Sequence, residues 1–248
     1  MIARKLVFGF DIVQADADEL ARALLDQAQE RRGTRVVCIN PHSIETAQND
    51  AEFDSALRNA DVRLCDGVGI VVAAGLFLRQ RLKRLTGPAL FTAVNTELGR
   101  RGGSVLLLGG VGEWNERLLA QLVEQNPGLR ATAYAPPFKS RFEPEDINAM
   151  QDEIDRCKPD VLWVGVGSPK QEKLMAMLDG PSFGVAGAVG AAFDFSSGRV
   201  KRAPSIVRNL GLEWAYRLMQ QPRRLGARTF RSAPRFLALA YKLRGARE

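Results

Sequence analysis

The chain has 248 residues, 46% of them hydrophobic and 25% charged, with a net charge of +7. That composition excludes a disordered or fibrous chain and suits one large α/β domain or two tightly joined halves. The longest near-apolar runs, 69–78 and 180–193, are too short to cross a bilayer.

In chain order, Met1-Ile2-Ala3-Arg4-Lys5 leads into a short strand-like run ending at Asp11, with no signal-peptide core. Hydrophobic periodicity then predicts a helix over 18–30, a strand over 35–39 and a short helix over 43–49. A strand over 62–65 is followed by helices over 68–77 and 88–100. Arg100-Arg101-Gly102-Gly103 is the best internal boundary. Beyond it come strands over 105–108, 131–134, 161–166 and 183–189, separated by helices over 113–125, 144–156 and 171–178. Short apolar runs alternating with longer amphipathic ones predict a mainly parallel sheet covered on both faces. The expected fold is α/β, a Rossmann-like three-layer α/β/α arrangement of two closely packed halves, 1–101 and 102–198. A basic helical extension, 199–248, completes it, with helices expected over 204–220 and 234–244 and a break at Pro222-Arg223-Arg224.

Charge divides the chain unevenly. From Arg199 to Glu248 there are 13 Lys or Arg against only Glu213 and Glu248, whereas residues 1–198 carry 22 basic and 26 acidic groups. The tail alone makes the protein basic, which points to an anionic partner: lipid headgroups, nucleic acid or a diphosphate. Phe236, Leu237, Ala240, Tyr241 and Leu243 form an apolar stripe among tail cations such as Arg235, Lys242 and Arg244, the pattern of a helix lying in the headgroup region. Three cysteines, Cys38, Cys65 and Cys157, make no C-x-x-C pair and leave one over, so the expectation is a reducing cytoplasm.

Ligands of parallel α/β sheets bind beyond the carboxyl ends of the strands. Four such ends carry polar or glycine-rich sequence: Cys38-Ile39-Asn40-Pro41-His42, Cys65-Asp66-Gly67-Val68-Gly69, Leu108-Gly109-Gly110-Val111-Gly112, and Gly165-Val166-Gly167-Ser168-Pro169-Lys170-Gln171-Glu172. In the last, Ser168 can cap a helix and Pro169 fits its first position, making an anion-binding helix start. Asp66 before Gly67 closes a turn or serves as a general base; with Asn40, Arg84, Gln171 and Asp194 expected at the same edge, the base is the better reading. Asp194 lies between two phenylalanines and could equally be a buried structural carboxylate. Arg84, before Thr86-Gly87, suits oxyanion binding. Neither glycine loop has dinucleotide or P-loop spacing, so a dinucleotide-dependent oxidoreductase is the weaker enzyme reading. A nucleic-acid-binding module is the other rival, and the tail's sparse aromatics argue against it. His42 is the only histidine, and Asp16-Ala17-Asp18 reads as helix capping, so no metal or other cofactor is expected.

These motifs, together with Arg84-Leu85-Thr86-Gly87, Phe193-Asp194-Phe195, Gly198-Arg199-Val200-Lys201-Arg202-Ala203-Pro204 and Gly211-Leu212-Glu213-Trp214, resemble the WecG/TagA/CpsF glycosyltransferases of bacterial cell-envelope polysaccharide synthesis. The resemblance runs from about residue 10 to 228. It implies an inverting, metal-independent transferase moving a sugar from a UDP donor to a polyprenyl-diphosphate-linked saccharide. N-acetylmannosamine, its uronic acid, glucose and glucuronic acid remain open as the sugar. Asp66 would be the general base, with Asn40, Arg84 and Gln171 shaping the pocket around it. Cys38, Gly109, Gly110, Gly167, Lys170, Asp194, Arg202, Arg217 and Arg224 would bind substrate. The resemblance further implies a peripheral enzyme on the inner face of the plasma membrane, held there by its tail; no nucleic acid is expected, and a second copy of the chain is an open partner. Members often carry Thr where Cys38 stands, and Asp near Pro88-Ala89-Leu90; both departures bear on the sugar selected.

Overall fold

The computed structural model describes residues 2–110, 112–204, 206–207 and 211–244; within the last segment the side chains of 224, 225, 227–229 and 231 lie outside the description. Six strands, β3 (Thr34–Ile39), β4 (Val62–Cys65), β5 (Ser104–Gly109), β6 (Arg130–Tyr134), β7 (Val161–Gly165) and β8 (Val185–Ala188), form one sheet in the order β4-β3-β8-β7-β5-β6. Every pairing in it is parallel. A separate antiparallel hairpin, β1 (Arg4–Val7) and β2 (Phe10–Val13), stands where one N-terminal strand is expected.

Side chains alternate across a strand, so each strand feeds two cores. Val37, Ile39, Leu106, Leu108, Leu162 and Val164 point to one face, where helices α2 (Pro41–Ala47), α3 (Ala51–Asn59), α4 (Val68–Leu78), α7 (Pro144–Cys157) and α8 (Lys170–Met177) cover them. Val36, Val105, Leu107, Val161 and Trp163 point to the other, under α1 (Ala17–Ala28), α5 (Gly87–Arg100), α6 (Glu113–Gln125) and α9 (Gly190–Ser196). The result is the expected Rossmann-like three-layer fold. Burial on both faces explains why the strands read as near-continuous apolar runs.

Several elements depart from the sequence expectation. Helix α3 is short, but Asp50 caps it by accepting from the Phe53 N–H at 3.1 Å, and Phe53 and Leu57 anchor it. Helix α9 begins on a glycine, so propensity argues against it; Phe193 holds it by packing on Gly165, where an added Cβ would lie 2.6 Å from the ring. Ser168 does not cap α8, whose N-cap is Pro169 with no side-chain cap bond. In the tail, Gly211 has a φ of +74°, a conformation that glycine adopts freely. Of the helix expected over 204–220, residues 206–207 are helical, 205 and 208–210 lie outside the described residues, and helix α10 (Glu213–Gln220) starts after Gly211. Pro222 opens rather than breaks the final helix, α11 (Pro222–Leu243), which continues through Pro234.

The tail stripe is also corrected. Phe236 and Ala240 are not lipid-facing but 2% and 0% exposed, and Phe236 meets Phe8 edge-on at 5.5 Å. Helix α11 crosses α2, and Arg235 pairs with Glu45 at 2.9 Å. Among the described residues no helix is long and apolar enough to cross a membrane.

Candidate active site

Because β3, β4, β5, β7 and β8 all run the same way, the loops that follow them line one edge of the sheet. Neighbouring strands lie about 4.8 Å apart, so the end of β4 and the end of β5, four places along, are separated by roughly 19 Å. The edge is wide enough to hold an extended substrate.

Asp66 stands at the end of β4, its backbone N–H donating to Ile39 O of the neighbouring strand at 2.9 Å. Its Oδ2 accepts from the Gly87 N–H, the first residue of α5, at 3.4 Å. The Cys38 thiol, from β3, lies by the same carboxylate and favours its charged form. Gly87 has to be small: a Cβ there would lie 3.1 Å from Cys38 Sγ and 3.7 Å from Asp66 Oδ2. Burial raises the Asp66 pKa above the ordinary carboxylate value, against the Gly87 hydrogen bond, the Cys38 thiol and the Arg217 charge, while Glu213 adds to the rise. A carboxylate so placed is a better base than an exposed one, since its proton affinity lies nearer neutrality. Burial, then the charges of Asp66 and Glu172, push the Cys38 thiol well up, so it stays protonated. Burial beside Asp66 also lifts Cys65 to about 12, with Arg84 pulling the other way.

Asn40 caps α2: its Oδ1 accepts from the Ser43 N–H at 3.0 Å, while Ser43 Oγ takes the Asn40 N–H at 2.8 Å. It lies beside the Asp66 turn, since a Cβ on Gly67 would be 3.7 Å from Asn40 Cβ. One oxygen of this expected catalytic residue is therefore spent on the fold. Arg84 is half-buried just before α5, and a Cβ on Gly211 would come within 3.8 Å of its Nη1. Gln171 is buried, and its amide is committed: Nε2 donates to Glu172 Oε1 at 3.0 Å and Oε1 accepts from the Gly190 N–H at 3.2 Å. It ties α8 to the start of α9, next to the site.

The tail folds back to close this edge. Arg217 and Glu213 of α10 both act on Asp66 through their charge. The Arg217 and Arg202 guanidinium groups lie over the Phe195 ring at 5.0 and 5.9 Å, and Arg202 pairs with Glu213 at 3.6 Å. Asp194 sits alongside, 3.7 Å from Arg199, with its backbone carbonyl accepting from the Val200 N–H. Arg224 falls on a side chain outside the described residues.

The glycines divide by cause. At Gly109, φ +127°, a Cβ would lie 2.7 Å from the Gly165 carbonyl, and the Gly109 carbonyl accepts from Asn115 Nδ2 at 2.8 Å, so Gly109 and Gly110 pack the end of β5 against its neighbours. Gly167, φ +89°, would meet nothing within 4 Å and borders open space. Lys170 points elsewhere: its Nζ reaches the Lys139 carbonyl and lies 4.6 Å from the Phe142 ring, on the wall of a separate cavity of about 640 Å³ that includes Lys173 and Met177.

The structure thus gathers Asp66, Cys38, Asn40, Arg84, Gln171, Arg202, Arg217 and Asp194 around the β3, β4 and β8 ends. It adds Glu172, Glu213 and Gly87, which the sequence reading did not assign, although all three lie inside its quoted motifs. The model of the glycosyl transferase WecG/TagA/CpsF family matches residues 5–248.

Proposed function

We propose, on the premise that the chain belongs to the WecG/TagA/CpsF glycosyltransferase family, that it is an inverting, metal-independent transferase of cell-envelope polysaccharide synthesis. Its donor is a UDP-sugar, of the N-acetylmannosamine, uronic acid or glucose type. Its acceptor is a hydroxyl on a polyprenyl-diphosphate-linked saccharide at the inner face of the membrane. Asp66 takes the acceptor hydroxyl proton as that oxygen attacks the anomeric carbon. The bond from that carbon to UDP breaks on the opposite face, and the electron pair leaves with the diphosphate. Arg84, Arg202 and Arg217 supply positive charge for the leaving group. Residues 1–101 bring the base, 102–198 receive the nucleotide sugar, and the tail beyond Gly198 closes the site with its arginines.

The observation that carries this reading is the Asp66 carboxylate itself. It sits at a strand end, held by the Gly87 N–H beside the Cys38 thiol, raised in pKa by burial and under the charge of a tail arginine. The test is Asp66→Asn, followed by UDP release across a panel of UDP-sugars with a short-chain prenyl-diphosphate saccharide as acceptor. A positioned base contributes about 10²–10⁴-fold to the rate, so turnover should fall by that factor with UDP binding retained. A variant keeping more than about a tenth of wild-type turnover removes Asp66 from the role.

A further inference from the structure

A surface helix normally turns a polar face to water. Helix α4 has none: Val68 to Leu78 contains no polar side chain at all. Yet it is not enclosed, because Val72 is 50% and Leu76 70% exposed, on the same helix face as exposed Gly75. The patch continues onto the tail. Phe77 meets Tyr241 edge-on at 6.2 Å, and Tyr241 and Leu237, one turn apart on α11, are 51% and 48% exposed.

Along the chain, the charge next to this patch has one sign. No Asp or Glu occurs between Asp66 and Glu97, nor between Glu213 and Glu248. Exposed Arg79, Arg81, Lys242 and Arg244 follow the two apolar faces in sequence. An apolar strip followed on both helices by exposed cations is complementary to an anionic bilayer surface, where side chains enter the acyl boundary and cations meet headgroups.

We propose that the exposed face of α4, together with Leu237 and Tyr241, is the surface by which this protein rests on an anionic membrane. The contact element is then a helix of the folded α/β body, and the tail supplies one side of the patch rather than a free anchor. The candidate base stands two residues before α4, and an eleven-residue helix is about 16 Å long. Docking through α4 therefore sets the mouth of the site within a helix length of the lipid that carries the proposed acceptor. The proposal rests on the transferase reading for that last step only.

The test uses vesicles holding neither donor nor acceptor, so its outcome is independent of catalysis. The full chain should co-sediment with phosphatidylglycerol-containing vesicles, less so at high salt, and bind pure phosphatidylcholine weakly. Val72→Glu/Leu76→Glu removes two apolar contacts and adds two anions on an exposed face, so partition should fall about tenfold or more, with an unchanged circular dichroism spectrum. A second variant, Leu76→Trp, should gain emission that brominated phosphatidylglycerol chains quench. Wild-type vesicle binding by the double glutamate variant, or an unquenched Leu76→Trp, overturns the proposal. So does a double variant that loses only self-association, which would make the face a contact between copies of the chain.

Discussion

Gln171 separates a scaffold role from a catalytic one. Its side chain is 6% exposed and makes two hydrogen bonds, to Glu172 Oε1 and from the Gly190 N–H. Gln171→Ala deprives a buried carboxylate of a donor and a backbone N–H of its acceptor. Each such loss costs about 1–3 kcal/mol, or roughly 2–6 kcal/mol together. For a chain of this length that corresponds to a Tm lower by roughly 5–20 °C. Gln171→Glu is the sharper probe, because it replaces the donating amide with an oxygen facing Glu172 Oε1, a contact of 3.0 Å in the wild type. Two carboxylates so close do not both ionise, and the folded state takes up a proton that the unfolded state does not. The variant should therefore be destabilised near about pH 8 and recover as pH falls towards about 5.5, since stability rises with protons bound only by the folded form. Thermal unfolding followed by circular dichroism at the two pH values reads this directly. If Gln171→Glu is as stable as wild type at the higher pH and loses only turnover, Gln171 acts on substrate and the scaffold account fails.

Burial raises the Asp66 pKa, so transfer should decline on the acid side with a midpoint above the ordinary aspartate value; activity is present above that midpoint, where the base is ionised. Cys38→Ala removes a thiol that favours the carboxylate and should move the midpoint further up, whereas the Cys38→Ser hydroxyl should restore it; pH–rate profiles of the three proteins check both, and coincident midpoints would dismiss the thiol. Transfer should also survive exhaustive chelation, since the chain has one histidine and, among the described residues, no group of three His, Cys, Asp or Glu side chains placed to hold a metal. Loss of UDP release in EDTA that Mg²⁺ or Mn²⁺ restores would replace the proposed arginine chemistry with a metal-assisted one.

The sheet was legible because doubly buried strands leave little choice of residue: Val161, Leu162, Trp163 and Val164 can scarcely be read otherwise. The carboxyl edge followed, since parallel strands put all their C-terminal loops on one side. What the sequence hides are contacts made at long range. Nothing in Gln171 shows that its amide is taken by Gly190, nineteen residues on. Nothing in Asn40 distinguishes a cap from a substrate contact until Ser43 is seen to bond it in both directions. Helix α9 defies its propensity because Phe193 fills space that Gly165 leaves open. Lys170, beside Gln171 in sequence, points into a different cavity, because successive helix positions face about 100° apart.

The tail shows the same limit with a consequence for experiment. Its charge and apolar spacing describe a membrane helix, and periodicity alone cannot say whether an apolar stripe meets lipid or protein. In the structure Phe236 and Ala240 meet protein, within the core that also holds Phe8, Ile44 and Ile70. Truncation at residue 221 therefore removes part of the core as well as eight cations of the tail. Losing one buried Phe costs about 3–5 kcal/mol, against a typical total stability of about 5–15 kcal/mol. The truncated chain should thus unfold well below the full-length protein or fail to stay soluble, and its loss of vesicle binding would say nothing about lipid. Differential scanning calorimetry of the 1–220 chain decides the point. A Tm equal to that of the full chain would show that α11 is an appendage to a core complete without it, and would return the whole helix to the role of a membrane anchor.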